Sequence, residues 1–160
     1  MKAPTIVTVS ADETLADHLR DLAGVHRWRL RDVRTPAGLA PLLAGPRPMV
    51  ILWVIDAAAT AAANDAALAT VHRSFPDVPI VVVSPTKLSD DERPAWSAAR
   101  LNLGAGHILF PPWTKLVLED LAGGLLAASI RRLTGKDPPP PLPRGDVAID
   151  LAEGLYEDDD

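Results

Sequence analysis

Two runs in this chain contain almost nothing but apolar residues. They are MVILWVI at residues 49–55 and VPIVVV at residues 78–83. Runs this short are strand-sized. A strand that is apolar at every position has to be covered on both faces, because successive side chains point to opposite sides of a sheet. That requirement leaves few architectures. A parallel sheet sandwiched between two layers of helices is the commonest.

The rest of the chain supplies the parts. TIVTVS at residues 5–10 is β-branched and apolar and reads as another buried strand. Ser10 with Glu13 forms a capping-box pattern for a helix carrying Leu15, Leu19 and Leu22 on one face, with Gly24 as its stop. Trp28, Leu30 and Val33 alternate with Arg29, Arg31 and Arg34, the pattern of a half-exposed edge strand. Thr35-Pro36 opens a short helix with Leu39, Leu42 and Leu43 inward, ended by Gly45-Pro46. An Ala-rich helix from about Asp65 is anchored by Leu68, Val71 and Phe75. After Ser84-Pro85 comes a polar stretch, Thr86 to Arg93, then a helix with Trp96, Ala99 and Leu103 inward. His107 to Phe110 is a fifth short strand. A long helix from about Thr114 to Thr134 has the stripe Val117, Leu121, Leu125 and Ala128 as its expected buried face. The order is βα five times, an α/β fold with a five-stranded parallel sheet and helices on both faces.

Residues 1–135 read as one domain and residues 136–160 as a Pro-rich, acidic tail. The tail holds eight acids and two bases, a net of −6. The whole chain carries −5, so the body is +1. A nearly neutral body without a basic stripe argues against nucleic acid as a partner. No apolar run is long enough for a membrane span or signal peptide, so a soluble, cytoplasmic protein is expected. There is no cysteine, which excludes disulfides, thiolate metal sites and cysteine nucleophiles. His18, His26, His72 and His107 lack metal-ligand spacing. Ser84 has no nucleophile-elbow sequence around it, and no glycine-rich loop follows the first strand. No cofactor is expected.

Three motifs in order resemble the receiver domain of two-component response regulators, over roughly residues 4–134. Pro48 leads into Met49-Val50-Ile51-Leu52-Trp53-Val54, where that family has Pro-Asp-Leu-Val-Leu-Leu-Asp. Ser84 closes the fourth strand, 30 residues after Val54. Gly104-Ala105-Gly106-His107-Ile108-Leu109-Phe110-Pro111-Pro112-Trp113 parallels the family's Gly-Ala-x-x-Tyr-Leu-x-Lys-Pro-Phe. The resemblance implies a flavodoxin-like (CheY-like) fold in two-component signalling.

The family's chemistry needs an acidic pair for Mg²⁺, an acceptor Asp, a hydroxyl and a Lys. The corresponding positions here are Ser10 and Ala11, Val54, Ser84 and Pro111. Only the hydroxyl remains, which implies a degenerate pseudo-receiver, not an enzyme, that works by binding protein. Two alternatives stay open. Asp12 and Asp56 offer a fallback acidic site for an unconventional phospho-accepting receiver. A small-molecule-binding protein of flavodoxin-like fold is the other. In the resembling family the face made by helix four, strand five and helix five pairs with partners or a second copy. Trp96, Arg100 and Trp113 are its candidate anchors here, although the two Trp side chains equally suit a core poor in aromatics. The tail is a tether, a partner motif presenting Leu155 and Tyr156, or a segment that docks on its own domain.

Overall fold

In the computed structural model, residues 3–45, 47–59 and 61–135 are described. The expectations for the tail, including those for Leu155 and Tyr156, fall outside them. The elements are β1 (Thr5–Val9), α1 (Thr14–His26), β2 (Arg29–Val33), a 3-10 turn (Pro36–Gly38) running into α2 (Leu39–Leu43), and β3 (Met49–Val54). There follow α3 (Ala62–Ser74), β4 (Ile80–Val83), α4 (Arg93–Leu103), β5 (His107–Leu109) and α5 (Lys115–Thr134). All neighbouring strands are parallel and their order is β2-β1-β3-β4-β5. The five-stranded parallel sheet with helices on both faces is therefore as the sequence pattern requires. No helix among the described residues is long and apolar enough to cross a membrane.

Alternation along β3 divides the core in two. Met49, Ile51 and Trp53 join Val7, Leu39, Leu68, Ile80 and Val82 on the α2–α3–α4 side. Val50 and Leu52 join Ile6, Leu15, Leu19, Val81 and Leu118 on the α1–α5 side. Each such side chain, fully removed from water, contributes about 1.5–3 kcal/mol. Trp53 is wholly buried, and its indole N–H donates to Asn64 Oδ1 at 3.2 Å, so the one polar atom of this side chain is satisfied. On the other side, His26 at the end of α1 meets Glu119 of α5, with 2.6 Å between Nε2 and Oε2, and stacks on Trp28.

Several local expectations are corrected. Ser10 and Glu13 do not form a capping box. The Ser10 hydroxyl accepts from the Asp12 N–H, and α1 starts later, at Thr14. Gly24 does not end that helix. It continues to His26 and stops at Arg27, which takes the left-handed conformation at φ 60°. On α4, Ala99 is exposed and Arg100 is buried. On α5 the fully buried residues are Leu118, Ala122, Leu126, Ser129 and Ile130; of the expected stripe, Leu121 and Leu125 are half-buried against the core, while Val117 and Ala128 face outward. Val117 is 42 % exposed. The helix is apolar on most of its circumference, so period alone did not select the face that meets the sheet.

Gly104 closes α4 at φ 121°, and a Cβ built there would lie 2.3 Å from Cγ of His72. Gly104→Ala is therefore expected to destabilise the fold by about 2–4 kcal/mol in urea unfolding, from strain and overlap together. A change within about 0.5 kcal/mol, the range of an ordinary surface substitution, would contradict this packing.

Candidate functional site

In a sheet of this strand order the connections leave β1 and β3 in opposite directions, which opens a crevice at their carboxyl ends. Ser10, Ala11 and Asp12 follow β1. Val54, the last residue of β3, faces them, and Asp56 follows two residues on. Together with Val83, Pro85 and Trp113 they line a cavity of about 380 Å³. The positions singled out in the sequence are thus brought together at one edge, and their side chains do not fill it.

Several polar groups of this edge are tied to its own loops. The Ser84 hydroxyl is fully buried. It accepts from the backbone N–H groups of Ala57 and Thr86, each at 3.1 Å, and donates to the Thr86 carbonyl at 2.9 Å. A hydroxyl has one donor and two acceptor sites, so Ser84 is saturated by the loops that follow β3 and β4. Asp56 accepts from the Ala58 N–H at 2.9 Å, a local Asx turn, and from the Thr86 hydroxyl at 2.6 Å. The Thr86 hydroxyl, then the Ala58 N–H, hold its carboxyl below the usual aspartate range. Asp12 makes the same kind of turn with the Thr14 N–H at 3.0 Å, and that backbone bond chiefly lowers its pKa too. Both carboxylates are ionised at neutral pH, and both shape loops.

A second network fixes the other wall. The Thr8 hydroxyl donates to Asp32 Oδ1 at 2.7 Å, and Arg34 donates to Asp32 Oδ2 at 2.7 Å. The same guanidinium reaches the carbonyls of Ser10 and Asp12 and pairs with Glu13. Arg34 therefore straps the loop after β1 to the end of β2. Pro111, where a cation would be needed, is half-buried and joined to Pro112 by a cis bond. It offers neither charge nor donor.

The aromatic anchors separate. Trp113 leans toward α1, edge-on to His18 with ring centroids 5.6 Å apart, and walls the cavity. Trp96 packs on the opposite face of the sheet against Phe110, at 5.5 Å. Arg100 is 8 % exposed, so it is no surface anchor. It grips both carboxylate oxygens of Asp65, at 3.2 and 2.9 Å, and lies over the Trp96 ring at 4.2 Å. Buried guanidinium needs such a partner, and Asp65 lies 35 residues earlier in the chain. Thr86, Arg34 and Asn64 were not singled out from sequence. Nothing in their local pattern marks them, since each acts on a residue distant in the chain.

No family model matches this sequence, and no curated protein matches it. Solved structures do. An uncharacterized protein from Neptuniibacter caesariensis aligns with a TM-score of 0.64 and 17 % identity, over 81 % of this chain and 91 % of that one. The signal receiver domain of a signal transduction histidine kinase from Syntrophus aciditrophicus gives 0.59 and 22 %, over 79 % and 92 %. A CheY-like response regulator receiver domain protein from Methanospirillum hungatei gives 0.61 and 17 %, over 82 % and 99 %. At these identities the likeness establishes the fold, a CheY-like flavodoxin fold.

Two outcomes follow for the crevice. Ser84→Ala leaves two buried N–H groups without their acceptor and is expected to cost about 1–3 kcal/mol in urea unfolding, where a neutral result would show that the hydroxyl is free. For Asp56 the folded pKa lies below the unfolded one. Its contribution is therefore full above the unfolded pKa and is lost as pH falls through the folded value. Carboxyl-detected NMR should find Asp56 titrating below ordinary aspartate, and Thr86→Val should move it back up. An unshifted midpoint in the native protein would contradict the Thr86 contact.

Proposed function

We propose that this chain is a signalling module of receiver fold that operates without phosphorylation, by binding another protein. The observation that carries the reading is the Ser84 hydroxyl. It sits at the position the chemistry would need, yet all its hydrogen-bonding capacity is taken by Ala57 and Thr86. Val54 and Pro111 add no acceptor and no cation. Phosphoryl transfer is mostly positioning and charge neutralisation, and here neither is supplied.

The partner surface in this reading is the edge made by α4, β5 and α5. Among the described residues β5 has a single neighbour, β4, and a strand edge is a ready interface. Beside it, α5 presents Val117, Gly124 and Ala128 outward. A second copy of the chain is one partner that such a face accommodates. Arg100 has no place in this surface, because Asp65 holds it inside.

The test is incubation of the full-length protein with Mg²⁺ and a small acyl phosphate, read by intact mass. No phosphoryl increment is expected. An increment abolished by Asp56→Ala would establish the unconventional receiver instead. For the surface, sedimentation at rising concentration is expected to show self-association that Val117→Asp weakens. A native protein that stays monomeric throughout removes the second copy as partner.

The open cavity beside Trp113 favours a second reading, in which a small ligand occupies the crevice. Native mass spectrometry of the gently purified protein would reveal a co-purifying ligand, and Val54→Trp should displace it.

A further inference from the structure

The opposite edge of the sheet holds a second cavity, of about 370 Å³, which the reading above does not use. Its floor is apolar, with Leu43, Met49, Phe75 and Val78. Its rim carries the guanidinium groups of Arg47 and Arg132. The Nε–H of Arg47 is buried and has no hydrogen-bond partner. Arg132 gives one N–H to the Asp77 carbonyl at 2.8 Å. Neither guanidinium has a carboxylate partner among the described residues, although Asp77 contributes the single acid of the lining. Unpaired buried donors are rare, because each has lost water without replacement. An apolar pocket with two cations at its mouth suits a ligand that carries carboxylates beside apolar side chains.

This chain contains such a ligand close by. α5 ends at Thr134, and Leu133, 44 % exposed, stands on the cavity rim. The sequence then continues through the Pro-rich residues 136–145 into residues 146–160. There Val147, Ile149, Leu151, Leu155 and Tyr156 alternate with seven acids and no base. Ten intervening residues can span at most about 35 Å, enough chain to reach a pocket beside the end of α5. Tethering makes the encounter intramolecular, so a weaker fit suffices than for a separate chain.

We infer that the acidic, apolar segment 146–160 docks in the cavity at the amino-terminal edge of the sheet, with its carboxylates on Arg47 and Arg132 and its apolar side chains on the floor. Docking closes the chain on itself. It hides Leu155 and Tyr156 from any partner until that partner competes them away.

The chain has no cysteine, so a single nitroxide can be placed in the full-length protein through Gly154→Cys. The methyl signals of Leu43, Met49, Val78 and Leu133 should lose most of their intensity while the label is oxidised and regain it on reduction. Arg47→Gln should restore them in the oxidised protein, with the rest of the spectrum superimposable as proof of folding. Arg47→Lys, which keeps the charge, should leave most of the loss in place. Arg132→Gln provides a second, independent reading of the charge requirement. Two results overturn the proposal. One is oxidised-state broadening that misses these methyls or survives Arg47→Gln. The other is broadening that disappears when labelled protein is diluted with an excess of unlabelled protein, which assigns the contact to a second copy.

Discussion

β3 has to be dry on both faces, and most of the molecule follows from that. Met49, Ile51 and Trp53 are sealed by α2, α3 and α4, while Val50 and Leu52 are sealed by α1 and α5. A strand buried in this way sits mid-sheet with parallel neighbours, because crossover helices are what cover the two faces. The carboxyl ends of β1, β3 and β4 then meet at one edge. The loops that leave them must satisfy their own backbone groups there, because the sheet cannot.

How those groups are satisfied decides the character of the edge. A phosphoryl site needs an unoccupied hydroxyl, free carboxylate oxygens and a cation. This edge has a hydroxyl closed by three bonds, two carboxylates that each give Oδ1 to an Asx turn, and a proline. Its one strong cation, Arg34, faces Asp32, Glu13 and two carbonyls of the loop after β1. The same residue types that would do chemistry here are used as fasteners. What remains is a cavity with an apolar floor, walled by Val54 and Trp113.

The sheet was legible because its central strands are almost wholly apolar runs, which leave few architectures. So were the vacant chemical positions, since Val54 and Pro111 carry their meaning in their side chains. Other features depend on partners far off in the chain. Arg100 looks like an exposed cation on α4 until Asp65 is placed beside it, 35 residues away. Ser84 looks like a surviving catalytic hydroxyl until the backbone of Ala57 is brought to it, and a backbone N–H leaves no mark in the residue type. The face of α5 was only partly legible, with Leu121 and Leu125 at its margin and its centre one position on, because Leu, Val, Ala and Gly surround the helix. Trp96 and Trp113 read as one surface, yet they lie on opposite sides of the sheet. Trp113 turns to His18, a contact no local pattern specifies.

The central proposal is that the carboxyl edge spends its Ser84 hydroxyl on holding its own loops and works without a phosphoryl group. The most direct measurement is the amide spectrum of the full-length protein during titration with Mg²⁺ and beryllofluoride, a mimic of the bound phosphoryl group. The account predicts that the signals of Val54, Asp56, Ala57, Ser84 and Thr86 stay where they are at every concentration. A saturable shift of these signals would mean that the Ser84 hydroxyl can be released from its loops, and it would contradict the account.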